Sequence, residues 1–149
     1  SNDADCFILD IPGKVEEMFR ENFKLRQDEI ILLARDTSIW NNRTEGLVIT
    51  NRRIVYIPKC IGSNKNIYVI NYADCQQINT NTNSVLFWKS AESYLAIPKS
   101  FFFKTRWKTY DFDRSIEQLT ILLKKMGEAH SLHNNTAHLA YITNKYAEV

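Results

Sequence analysis

Three groups of side chains in this sequence have types and spacings suited to chemistry. Arg43, Arg52 and Arg53, followed by Lys59 and Lys65, are near enough along the chain to gather into a local basic patch. Guanidinium groups hold phosphate and carboxylate through paired hydrogen bonds, so such a patch would bind an anionic ligand or a lipid headgroup. The same charges at a turn and a loop also read as solvated, and Arg53, at the head of a strand, is placed for capture by backbone carbonyls. The second group is Phe101, Phe102, Phe103, Lys104, Arg106, Trp107 and Lys108, the densest aromatic and basic stretch. Rings interleaved with cations suit a membrane interface, stacked single-stranded nucleic acid or a protein partner. A core strand with one wet face gives the same pattern.

The third group is His130, His133 and His138, the chain's only histidines. A His-x-x-His pair on a helix can share a metal, but no Cys or carboxylate stands at a completing spacing, so no metal site is expected. Catalytic combinations are missing as well. There is no Gly-x-Ser-x-Gly, no Gly-rich phosphate loop and no His-Glu-x-x-His, and no histidine precedes residue 130 to serve as a base. Asp111 and Asp113 are spaced as a pair, yet Asp113 suits a helix N-cap. No catalytic residue and no cofactor are expected.

These groups need elements to position them, and composition bounds what the elements can be. The 149 residues are 44% hydrophobic, enough for one domain, 1–149, with a sizeable core. Nineteen basic against seventeen acidic residues leave +2, too small a bias to make nucleic acid the default partner. No window approaches a membrane span. The start, Ser1 to Asp5, is acidic where a signal peptide would be basic and then apolar, so a soluble chain is expected. Cys6, Cys60 and Cys75 are widely spaced and odd in number, which favours a reducing, cytoplasmic setting over a disulfide framework.

Along the chain, Val15, Met18, Phe19 and Phe23 recur at helical spacing, which predicts a helix over Pro12–Phe23 with Asp10 as its cap. Glu29–Ala34 reads as a strand that bends near Asp36 and continues through Thr37–Trp40. Leu47–Thr50 and Arg53–Ile57 are β-branched runs joined at Asn51-Arg52, a hairpin whose turn favours positive backbone angles. Lys59–Asn66 is a polar connection. Strands follow over Ile67–Tyr72, up to Ile78, and as a second hairpin over Val85–Trp88 and Tyr94–Ile97 with Lys89–Ser93 at its tip. Ser100–Trp107 reads as either a strand or an irregular loop. Asp113 caps a helix over Arg114–Met126 that ends at Gly127, and 128–149 is a tail or a short helix.

The order of these elements resembles a pleckstrin-homology-like barrel. Gly46-Leu47-Val48-Ile49-Thr50-Asn51-Arg52-Arg53-Ile54 looks like the "Gly, three hydrophobics, Thr, x, x, Arg, hydrophobic" signature of bacterial PH-like and GRAM-like domains. Tyr68–Ile78 and Phe112–Met126 resemble later parts of that family more loosely. Coverage is about 29–126, with 10–24 and 128–149 as additions. The resemblance implies a mainly β, α+β fold: about seven antiparallel strands, a closing C-terminal helix and an extra N-terminal helix.

It also implies a binding or docking module, not an enzyme. The expected partner is a protein or a membrane surface, reached from the cytoplasm, with a homo-oligomer as a further option and no nucleic acid. A small-ligand or headgroup site in the basic patch is the alternative, and an enzyme of unrecognised geometry ranks third. Gly46, Thr50 and Arg53 are expected to set turn and register.

Overall fold

The computed structural model describes residues 6–8, 10–61 and 64–102. These fall in two compact units, one drawn from 1–69 and 101–105, the other from 70–100 and 106–149.

The first unit is built on a sheet. Strands β1 (Cys6–Ile8), β2 (Ile31–Asp36), β3 (Gly46–Thr50) and β4 (Arg53–Ile57) lie in that order and pair antiparallel. A short ribbon, β5 (Cys60–Ile61) with β6 (Asn64–Lys65), occupies the expected polar connection, and β7 (Tyr68–Asn71), of which Tyr68 and Val69 belong to this unit, is the outer strand of the sheet. β2 and β3 are buried at every position instead of alternating, as strands covered on both faces are.

Helix α1 (Gly13–Asn22) covers one face. Phe19 and Phe23 pack with Ile31, Ala34, Val48, Val55 and Ile57 into one cluster, which Phe7, Val15, Leu25 and Val69 border. A bulge between Ile31 and Leu33 shifts the parity of β2, so that Ala34 and Asp36 look the same way as Val48 and Val55. Burying a Phe or Ile side chain in such a cluster contributes roughly 1.5–3 kcal/mol.

The ends of α1 differ from expectation. Pro12 sits at the N-cap without a side-chain hydrogen bond, and Asp10 is exposed and does not cap the helix. Met18 leaves the apolar stripe and is exposed. At the other end the Leu25 N–H reaches the Arg20 carbonyl and the Lys24 N–H the Glu21 carbonyl, a Schellman closure with Lys24 at φ 54°. A lysine therefore stands where glycine is usual.

The second unit holds an antiparallel sheet of β8 (Gln77–Thr80), β9 (Ser84–Trp88) and β10 (Tyr94–Pro98), ordered β10-β9-β8. Here burial alternates: Ile78, Val85, Phe87 and Ile97 are inward. The hairpin tip closes through Lys89 N–H to the Ser93 carbonyl, as the sequence predicts. Tyr72–Asp74 and Lys99–Phe102 are 3₁₀ turns, so Phe101 and Phe102 are not in a strand. The predicted helix 114–126 and the tail lie outside the described residues, as do Phe103, Lys104, Arg106, Trp107, Lys108 and the three histidines.

Candidate functional site

The β3–β4 hairpin positions most of the basic residues, and it separates them. Its register pairs Gly46 with Ile57 at one end and Ile49 with Ile54 near the other. β3 spans about 13 Å at the usual strand rise. Arg52 and Arg53 stand at the tight turn. Arg43 lies in the β2–β3 loop at the opposite end, where Lys59 follows β4.

At the tight turn, Glu29 is the organising group. Its side chain is wholly buried, and Arg53 closes on it at 2.8 Å from Nη2 to Oε1 and 2.9 Å from Nε to Oε1. The Thr50 hydroxyl donates to Oε2 at 2.8 Å and accepts from the backbone N–H groups of Arg52 and Arg53 at 3.1 and 3.0 Å. The Arg26 N–H supplies a further bond to Oε1. Burial acts to raise the Glu29 pKa. Hydrogen bonds from Arg53, the Arg26 N–H and Thr50, with the Arg53 charge, outweigh it, so the carboxyl titrates below its ordinary value.

The turn itself departs from the predicted hairpin geometry. Among the described non-glycine residues, positive φ occurs at Lys24, Asn41 and Arg43, not at Asn51. The Thr50 hydroxyl does the work that positive angles would do, by taking two turn N–H groups. Asn51 instead pairs with Ile30 through its own N–H and through Oδ1. Gly46, at φ 136°, is held against the Arg35 carbonyl, which a Cβ would overlap.

At the opposite end, Asp36 plays the part of Glu29. Its carboxylate is inaccessible to solvent and accepts from the Ser38 N–H and hydroxyl, the Arg43 N–H, and Arg43 Nη1 at 2.7 Å. The Arg43 guanidinium also lies 5.6 Å from the Phe7 ring centroid. The Asn22 amide, in the last turn of α1, donates to the carbonyls of Asn42 and Arg43. Lys65 Nζ in turn donates to the Asn22 carbonyl at 2.7 Å.

The loop so braced carries Ile39 and Trp40 at its apex, 86% and 84% exposed. Sequence periodicity places them in a strand. They stand instead in a turn beyond β2, because Asp36 bonds forward to residues 38 and 43 and ends the strand. Arg52 forms a surface pair with Asp28 at 3.2 Å, and Lys59 is exposed. The predicted patch is thus spread over two ends of the hairpin, and each of its three arginines faces a carboxylate.

Of the aromatic stretch, Phe102 is buried and Phe101 packs edge-on against Tyr56, centroids 5.3 Å apart. Burial, with the Tyr68 charge behind it, raises the Tyr56 pKa. In the second unit a shallow cleft of about 380 Å³ is lined by Gln76, Gln77, Asn79, Trp88, Ser90 and Ala91, none of them charged. The Trp88 indole N–H donates to Asn79 Oδ1 at 3.0 Å, and its ring lies against Tyr94. Neither the cleft nor the Ile39–Trp40 apex has a signal in the sequence, since each depends on loop geometry.

No group of three or more His, Cys, Asp and Glu able to hold a metal occurs among the described residues. No described helix is long and apolar enough to cross a membrane. A family model described as "Bacterial PH domain" matches residues 25–148. That match leaves α1 outside and runs past residue 126, where the sequence resemblance ends. Neither a search of curated proteins nor one of solved structures gave a match.

Proposed function

The chain belongs to the bacterial PH domain family, and from that premise we propose a non-catalytic docking module whose contact surface is the β2–β3 loop. Domains of this family commonly mediate binding. The observation that carries the reading is the apex: Ile39 and Trp40 are the most exposed large hydrophobic side chains among the described residues. Large apolar groups held in water cost free energy, and the loop that carries them is braced at its base by Asp36, Arg43 and Asn22. Preorganisation of this kind removes much of the ordering cost of binding.

The alternative, an anion site in the basic patch, has less support. An incoming phosphate would compete with Glu29 for Arg53 and with Asp36 for Arg43, each a buried carboxylate at hydrogen-bond distance. We place that activity second.

Photo-crosslinking in cells tests the docking reading. Trp40→benzoylphenylalanine should give covalent adducts, and Glu92→benzoylphenylalanine, at the exposed tip of the other hairpin, should give few. Equal yields at the two positions, or none at position 40, would refute it.

A further inference from the structure

The cleft of the second unit has a chemistry of its own. It lies on the outer face of the sheet of β8, β9 and β10, where the register sets Gln77 beside Trp88 and Trp88 beside Tyr94 in one row across the three strands. Asn79 follows on the same face, two positions along β8, while Ile78 and Phe87 turn to the buried side. Asn79 Oδ1 takes the indole N–H at 3.0 Å, and Tyr94 packs on the ring at 4.6 Å between centroids. The Trp88 ring is therefore held from two sides.

Around that ring, hydrogen-bonding capacity is left open. The side-chain amides of Gln76 and Gln77, and Nδ2 of Asn79, make no hydrogen bond to another described residue. None of the described residues lining the cleft is charged, and no charged residue occurs from Cys75 to Trp88 in a chain that is 24% charged. Asp74, Lys89 and Glu92 flank it along the chain, exposed and outside the lining, and the two at the hairpin tip are of opposite sign.

These features select among ligands. A phosphate or carboxylate finds no cation in the lining, and a cationic ligand finds no carboxylate. A wholly apolar ligand would cover the amides without pairing them, which is costly. A pyranose sugar fits both halves of the lining: its C–H face is apolar, and its rim carries hydroxyls that donate and accept, as amides do. The volume of about 380 Å³ is at the lower end of the roughly 300–1,000 Å³ of small-ligand sites. We infer that this cleft binds a neutral sugar, with a pyranose ring against the Trp88 indole and its hydroxyls on the amides of Gln76, Gln77 and Asn79. The site goes beyond the docking reading and does not rest on it, since no residue of the β2–β3 loop takes part. One ring and a few hydrogen bonds in an open cleft give a dissociation constant on the order of 1 mM.

The test is an NMR titration of the isotope-labelled full chain with cellohexaose, maltohexaose and chitohexaose, each raised to about ten times that value. At least one should give saturable shifts of the Trp88 indole N–H and of the Gln76, Gln77 and Asn79 side-chain amides. Its affinity should change less than about twofold between low and high salt. Gln76→Ala with Gln77→Ala should weaken it about fivefold or more, and Trp88→Ala about tenfold or more. The glutamine variant should melt like the parent, since both side chains are exposed, and Trp40→Ala should leave sugar binding unchanged.

Absence of shifts with all three oligosaccharides, shifts confined to other residues, or equal binding by the double glutamine variant overturns the inference. So does a response to adenosine or uridine with none to the sugars, which would make the cleft a nucleobase site. Sugar binding without crosslinking at position 40 removes the docking reading alone. Crosslinking without sugar binding removes this site alone.

Discussion

Arg53 and Glu29, 24 positions apart in the chain, form a buried ion pair in which the carboxylate has no solvent contact and the guanidinium holds it through both Nε and Nη2. The pair joins the segment before β2 to the turn after β3, and Thr50 sits between as a shared hydrogen-bond partner.

Removing one member strands the other. Arg53→Ala leaves the Glu29 carboxylate buried without its cation and should cost about 3–5 kcal/mol. Arg53→Lys should recover only part of this, because an ammonium cannot reproduce the forked contact. Urea unfolding measures both, and an Arg53→Ala midpoint equal to the parent's would show that the pair contributes nothing.

Glu29 also sets an acid limit. Its native pKa lies below the ordinary value of 4.5, so its stabilising contribution is complete above that value. It is lost as pH falls through the lowered native pKa. Stability measured from pH 7 downward should drop through this window in the parent, and Glu29→Gln should remove that part of the slope.

Gly46→Ala should destabilise by about 2 kcal/mol or more. The backbone at φ 136° is strained for any L side chain, and the added Cβ meets the Arg35 carbonyl. Thermal unfolding would show the loss, and an unchanged melting temperature would mean that β3 can shift away from β2.

Lys24→Gly should do the reverse. Lys24 occupies the left-handed position of the Schellman closure, and its carbonyl, not its side chain, accepts from Arg53 Nη2. Glycine keeps that bond and relieves an αL cost of about 1 kcal/mol. A rise in the unfolding midpoint is expected.

Much of the hairpin was readable because its determinants are contiguous. Gly46, Thr50 and Arg53 fall within eight positions, and the alternation of β9 with β10 is equally local. What escaped the sequence reading is set by distant or conformational partners. By its neighbours alone Glu29 reads as the start of a strand, since nothing near it in the chain announces Arg53 or Thr50. Ile39 and Trp40 read as strand residues because hydrophobicity does not record that Asp36 folds its carboxylate forward onto Ser38 and Arg43. β1 has only three residues, too few for any period to register.

The last turn of α1 reaches both ends of the hairpin at once. Asn22 holds the carbonyls of Asn42 and Arg43, while two residues later the Lys24 carbonyl takes Arg53. In mechanical terms the helix is a splint: a load applied at the apex is shared with the tight turn about 13 Å away. Amides in 37–44 and in 50–53 should then exchange with deuterium through one common opening, at a rate set by the fraying of a helix that lies outside the matched family segment.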